Sequence, residues 1–196
     1  MTDNTQNNSD RLPLLKPDEL NQTQRKIYDR MMTEQVPWAT KSGFQAATPD
    51  GKLLGPFNAL LYAPEVGQAY LDYFTAEKQN TTLSQRVHEV VILAVGAAWN
   101  SAYELYAHAA VSKTVGLPDA VIQALAAGQM PESLSEQERS AYEFVHQLAA
   151  DHRVDPAAYA RAKSAFGDKG LADIVILAGL YLMTCATLNA FEVPVP

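Results

Sequence analysis

The sequence predicts an all-α, single-domain protein, and three observations carry that expectation. Apolar residues recur at three- and four-residue spacings through most of the chain. Helix-start patterns precede several of these runs, and glycine or proline closes most of them. No stretch alternates apolar and polar residues over strand length, so no sheet is expected. At 196 residues, 47% hydrophobic and 19% charged, the chain has ordinary globular usage and enough length for one sizeable core.

Residues 1–16 are expected to form a disordered tail ahead of a helical domain at 17–196. The opening run TDNTQNNSD has neither the basic start nor the apolar centre of a secretory signal. From Pro17-Asp18-Glu19 onward, Leu20, Ile27, Met31 and Met32 fall at helical spacing, and Pro37 closes this first helix. Residues 38–57 contain Gly43, Pro49-Asp50-Gly51 and Gly55-Pro56 without a period, and read as a long connection of the kind that serves function or an interface. Residues 57–76 read as one or two helices, with Pro64 in a first turn and Val66, Tyr70, Tyr73 and Phe74 on one side.

Thr82-Leu83-Ser84-Gln85 has the capping-box pattern and precedes an apolar stripe of Val87, Val90, Val91 and Ala94. The next helix spans about residues 98–115 and stops at Gly116, because glycine accepts the left-handed conformation that ends helices. Pro118 starts a short helix that Gly128 ends. Ser135-Glu136-Gln137-Glu138 is a second capping box, ahead of Tyr142, Val145, Leu148 and Ala149. Asp155-Pro156 opens a helix reaching Phe166, and a turn over 167–170 leads to a last helix over 171–191.

Charge and cysteine usage exclude whole classes of partner. Fifteen Lys and Arg stand against 22 Asp and Glu, with no basic run interleaved with aromatics, so no nucleic-acid partner is expected. The lone Cys185 rules out an intramolecular disulfide framework and suits a reducing, cytoplasmic setting. Residues 174–191 carry no charge over 18 positions, near the lower limit for a bilayer span. Thr184, Thr187 and Asn189 interrupt them and no basic anchor flanks them, so they are expected to form a core or interface helix, with no membrane partner.

Ser101, Glu104 and His108 are separated by three and four residues, which places them on one helix face. Glu89, on the preceding helix, reaches this stripe if the two helices fold back on one another or kink near Gly96. A histidine beside two carboxylates takes and gives protons near neutral pH, since negative neighbours favour the imidazolium and burial opposes it. The simplest alternative is an exposed Glu104/His108 pair worth ~0.2–0.5 kcal/mol. His88 points about 100° away from its neighbour Glu89 on a helix, and no role is expected for it. His146 and His152 read as surface or capping residues. Glu104, His108 and Glu89 supply too few groups for a convincing metal site, and no metal or other cofactor is expected.

The segment 83–116, LSQRVHEVVILAVGAAWNSAYELYAHAAVSKTVG, resembles the signature of the carboxymuconolactone decarboxylase/alkyl hydroperoxidase D family. That signature is a glutamate, eleven residues, a C-x-x-C pair, three residues and a histidine. Glu89 and His108 match its glutamate and histidine, while Ser101 and Glu104 stand at the cysteine positions. The stretches GPFN at 55–58 and LNAFEVPVP at 188–196 resemble a longer branch of the family that lacks the cysteines.

The resemblance implies an alkyl hydroperoxidase D-like helical bundle, and a homo-oligomer that is trimeric or a dimer of trimers (a hexamer). A serine hydroxyl is far less acidic than a thiol and undergoes no reversible oxidation, so a two-cysteine peroxidase is excluded. Decarboxylase-type members also lack the pair, and for them the resemblance implies proton transfer on a lactone bearing a carboxylate. The expectation is a lyase- or isomerase-like acid–base enzyme on a small-molecule substrate. His108 would be the acid, Glu89 would orient or recharge it, and Glu104 would be a second proton carrier or a polar wall. Ser101, Trp99, Tyr103 and Tyr106 are expected to line the substrate pocket. Two alternatives stand beside this reading: a non-catalytic helical oligomer that binds a small molecule, and residual peroxiredoxin-type activity through Cys185. The chargeless last helix, with Leu60, Leu61, Tyr62, Tyr70, Tyr73 and Phe74, offers more apolar surface than one small core covers, an independent argument for association.

Overall fold

The computed structural model describes residues 11–196, so the first ten positions of the expected tail lie outside the described residues. Residues 11–16 are tied down. Leu15 N donates to Asn58 Oδ1 and Asn58 Nδ2 donates to Pro13 O, both at 3.1 Å. Arg11 pairs with Glu192 near the other end of the chain.

A 3-10 turn (Pro17–Glu19) precedes α1 (Gln22–Thr33), whose N-cap Asn21 and Gln24 exchange both bonds of a capping box. Helix α2 (Gln35–Ser42) contains Pro37, the residue expected to end helical structure. Pro37 lies in the first turn, where a backbone N–H has no intrahelical acceptor, so its ring costs the helix nothing. The irregular connection therefore starts only at Gly43, in the left-handed region at φ 91. It carries one antiparallel bridge, Ala47 with Leu53, and no strand forms among the described residues.

Helices α3 (Pro56–Tyr62) and α4 (Pro64–Asn80) both begin on a proline, so residues 57–76 form two helices. The inward side of α4 differs from the expected one. It buries Gly67, Leu71 and Glu77, and turns Val66 and Tyr73 outward, 60% and 43% exposed. Helix α5 (Gln85–Ala98) is capped by Ser84, whose side chain accepts from Val87 N. Thr82, the expected cap, instead donates its N–H and hydroxyl to Asp173 Oδ2 at 2.9 and 2.8 Å. Helices α6 (Ala102–Thr114), α7 (Asp119–Ala126) and α8 (Glu136–Asp151) follow, with the Ser135/Glu138 box formed as the pattern implies. Helix α9 (Pro156–Ala190) starts at its Asp155 cap and breaks only at Gly167 (φ 65, ψ −170), so the expected four-residue turn shrinks to one residue.

Helix α5 is the axis of the bundle, packed by α6, α7, α8 and α9. Its Val90, Val91, Ile92, Leu93 and Ala94 are all 0% exposed. They belong to a core completed by residues such as Val145 of α8 and Leu177 of α9. A second core gathers Ile27, Met31, Leu53, Leu61 and Leu71 around Tyr103, Ala107 and Val111 of α6. The α5–α6 contact is thus the seam between two cores. Among the described residues, α9 is the one helix long and apolar enough to cross a membrane by length and composition, and 56% of its most apolar stretch is buried in the protein.

Candidate active site

Three residues join α5 to α6. Asn100 takes a left-handed conformation (φ 49), and Ser101 N donates back to Gly96 O at 2.9 Å. This tight turn folds α6 back on α5, so residues at similar distances from it meet. Glu89 of α5 thereby faces His108 of α6. His108 Nδ1 lies 2.8 Å from Glu89 Oε2, and Ser112 Oγ donates to the same oxygen at 3.4 Å. One turn before His108, Glu104 places Oε1 3.2 Å from His108 Nε2. The three residues are 5%, 3% and 5% exposed for Glu89, Glu104 and His108, so the exposed-pair alternative is set aside.

The two carboxylates end in opposite states. Burial raises the affinity of Glu89 for protons, but the charge and hydrogen bond of His108, with help from His88, outweigh it and hold the group at about 2. Glu104 is pushed up to about 7, chiefly by burial and further by the Glu89 charge, with His108 only partly opposing. Its Oε1 has no hydrogen-bond partner among the described residues. Burial lowers His108, and the Glu89 and Glu104 charges more than offset this, so its proton affinity is raised. Glu89 is thus held as a carboxylate, His108 is biased toward its protonated form, and Glu104 is biased toward its neutral form.

His88 joins this set, contrary to the expectation that its helical angle removes it. Its side chain bends back to place Nδ1 3.8 Å from Glu89 Oε1, while Nε2 lies 3.1 Å from Glu77 Oε2 on α4. Burial lowers His88, and its two carboxylate partners outweigh that and carry it to about 9. No group of three histidine, cysteine or carboxylate side chains among the described residues is arranged to hold a metal ion.

His108 stands between two spaces. An inner cavity of about 40 Å³ is walled by Trp38, Phe57, Phe74, Tyr103 and Tyr181, with Glu104 as its acid. That is room for a few water-sized groups. An outer hollow of about 370 Å³ is lined by Glu77, Lys78, His88 and Glu89, and it shares Trp38, Phe74, His108 and Tyr181 with the inner cavity. Tyr181 meets the His108 ring edge-on with centroids 5.0 Å apart, and Trp38 lies 6.4 Å away on another side.

Of the residues expected to line a pocket, Tyr103 does so. Trp99 and Tyr106 border neither space, and Ser101 borders only a separate hollow at the start of α6. As the N-cap of α6, Ser101 has extended backbone angles (φ −86, ψ 94) that take it off the helical face it shares by spacing. Cys185 lies beside it, 0% exposed, its thiol pushed up to about 12 mainly by burial. Glu77, Trp38, Phe74 and Tyr181 were not singled out as site residues from sequence. The only sequence trace of Glu77 is a carboxylate interrupting the inward side of α4.

The family model described as the carboxymuconolactone decarboxylase family matches residues 64–147, a span that holds Glu77, His88, Glu89, Glu104 and His108. The resemblance read from the Glu89-to-His108 spacing holds over that span, and the C-x-x-C pair is absent from it. No curated protein matches the chain. Among solved structures, an uncharacterised peroxidase-related protein from Ralstonia eutropha JMP134, described as an alkylhydroperoxidase AhpD core, is 20% identical with a TM-score of 0.76, over 95% of this chain and 92% of that one. An uncharacterised peroxidase-related protein from Silicibacter sp. TM1040 is 18% identical with a TM-score of 0.73, over 100% and 95%. The debrominase Bmp8, as a cysteine-to-alanine variant in complex with 2,3,4-tribromopyrrole, is 12% identical with a TM-score of 0.70, over 94% and 92%. These likenesses establish an alkyl hydroperoxidase D-like, all-α fold.

Proposed function

We propose that this chain is an acid–base enzyme of lyase or isomerase type, acting on a small carboxylated or lactone substrate through His108, Glu89 and Glu104. The observation that carries the reading is the Glu104 carboxyl: buried, 3.2 Å from His108, with an oxygen that has no hydrogen-bond partner among the described residues, and pushed up to about 7 chiefly by burial. A group tuned to the working pH is the most effective proton donor and acceptor. Glu89 occupies Nδ1 of His108, which leaves Nε2, on the Glu104 side, as the working nitrogen. Loss of carbon dioxide leaves electron density spread into a carbonyl and calls for a proton at carbon, and His108 with Glu104 supplies it.

The walls support a flat, unsaturated substrate. Trp38, Phe74 and Tyr181 border both spaces, so the partition between them is made largely of side chains. The outer hollow has the volume for a small ring and the inner cavity that for its reacting group. A debrominase holding a brominated pyrrole on the same fold supports this size class. Peroxide chemistry through Cys185 is not part of the proposal, because a buried thiol held at about 12 forms almost no thiolate.

The test is the purified protein in deuterated water with carboxymuconolactone and a panel of related unsaturated lactones. Carbon dioxide release, or deuterium appearing at carbon, is expected. Neither across the panel would sink the enzyme reading, and retention of a lactone without exchange would favour the non-catalytic binder.

The proposal includes self-association, as a trimer or a dimer of trimers. Val66 and Tyr73 of α4 and Val175, Ile176 and Met183 of α9 are 41–60% exposed, and Tyr73 Oη donates to Ile176 O at 3.1 Å, which joins the two helices in one apolar face. Sedimentation equilibrium should give a multiple of 21.4 kDa, and a mass fixed at that value would remove the claim.

A further inference from the structure

Two buried carboxylates of the site each keep one oxygen without a hydrogen-bond partner among the described residues, Glu104 Oε1 and Glu77 Oε1. They face different spaces. Glu104 borders the inner cavity and not the outer hollow, and Glu77 the reverse. Between them runs an alternating series of carboxylates and imidazoles. Glu77 Oε2 lies 3.1 Å from His88 Nε2, and His88 Nδ1 3.8 Å from Glu89 Oε1. Glu89 Oε2 lies 2.8 Å from His108 Nδ1, and His108 Nε2 3.2 Å from Glu104 Oε1. Each imidazole has one nitrogen toward each carboxylate neighbour, and Glu89 offers a different oxygen to each ring.

We propose that Glu77 and His88 are the proton-entry limb of the site, taking protons at the outer hollow and passing them by Glu89 to His108 and Glu104. The inference rests on reading His108 with Glu104 as the acid pair. Decarboxylation breaks a carbon–carbon bond and leaves its electron pair on the substrate. That pair takes a proton from the acid pair, so each turnover consumes one proton, and one enters from water at Glu77 to restore the balance. The ion pair with His88 uses Oε2 of Glu77 and leaves Oε1 free to take a proton.

The test needs no substrate. In protein carrying ¹⁵N-labelled histidine, NMR reads the rate at which the His108 ring proton exchanges with water. Glu77→Gln and His88→Gln are expected to slow this exchange tenfold or more. Added imidazole, small enough for the outer hollow, should restore it in His88→Gln. His146→Gln, away from the site, should leave it unchanged. Wild-type exchange in both limb variants overturns the proposal, and so does equal slowing in His146→Gln, which would report a general change of the fold. If His88→Gln does not fold, the near-isosteric Glu77→Gln decides alone. The outcomes separate from those of the lactone assay: a limb that conducts in a protein that turns over no lactone keeps this inference and loses the substrate reading.

Discussion

The two sides of His108 look into regions built from different chemistry. Outside, the charged groups Glu77, Lys78, His88 and Glu89 share the walls of a larger hollow with apolar side chains such as Leu83 and Val111. Inside, Trp38, Phe57, Tyr103 and Tyr181 line a smaller space whose acid is Glu104. Glu89 and Glu104 are buried to nearly the same degree, yet one is held at about 2 and the other at about 7. What separates them is company. Glu89 lies between two imidazoles, whereas Glu104 has one at 3.2 Å without a hydrogen bond and feels the Glu89 charge behind it. Burial makes a carboxyl group an acid, and paired cations return it to a carboxylate, so position decides which role each glutamate fills.

The most forceful way to break this contrast is to remove the ring that divides the regions. His108→Ala is expected to lower the deuterium-exchange rate on a turned-over lactone by ~10²–10⁴-fold, the usual cost of a lost general acid–base group. Helix α6 should persist, because alanine is the best helix former and the position has no capping role. Wild-type exchange by a folded variant would remove His108 from the mechanism and leave the two regions without a shared reagent.

A smaller effect sharpens the contrast through stability. Glu104 is raised from 4.5 to about 7, so between those values the folded chain holds a proton that the unfolded chain has lost. Its contribution to stability is fully present below pH 4.5 and is lost as pH rises toward 7. Glu89 is lowered from 4.5 to about 2, so its contribution is present above pH 4.5 and is lost as pH falls toward 2. The raised histidines add their own loss only above their ordinary 6.5, which leaves pH 4.5 to 6.5 as the window for Glu104. Across that window Glu104→Gln should abolish a fall of roughly 2–3 kcal/mol, measured by urea unfolding at each pH. Glu89→Gln should keep the part of that fall that burial causes, lose the part that the Glu89 charge adds, and change the acid limb as well. Equal behaviour of the two variants would mean that the two sides of His108 do not differ electrostatically.

The parts of the site legible in the sequence are those fixed by one hairpin. Glu89 and His108 meet because a three-residue turn returns α6 along α5, and spacing along a single hairpin suffices to foresee that. Glu77 and Tyr181 come from α4 and α9, whose placement depends on packing such as the Tyr70–Thr184 hydrogen bond of 2.7 Å, and no local pattern encodes it. Trp38 was hidden by a local rule: proline ends a helix in its interior but not in its first turn, and Pro37 stands in the first turn of α2. Ser101 shows the converse, because it shares the helical spacing of Glu104 and His108 but serves as a cap and so leaves their face. The fold was more legible than the site, since paired caps such as Ser135/Glu138 and Asp155 before Pro156 are local devices.

The smallest expected effect is at Cys185, which lies beside Ser101 and borders neither the inner nor the outer space. Burial is the main reason its thiol stands at about 12, and the Glu104 charge adds to the rise while Ser101 partly opposes it. At pH 7 the thiolate fraction is then on the order of 10⁻⁵, against a few per cent for an unperturbed thiol. Cys185→Ser should therefore leave lactone exchange unchanged, and peroxide consumption should stay at the buffer rate in both proteins. An aromatic disulfide reagent should find no reactive thiol in the native wild type and one equivalent after unfolding. If the native wild type consumed peroxide and Cys185→Ser did not, reactive chemistry would lie behind Ser101, away from His108. The contrast between its two sides would then no longer describe where this protein works.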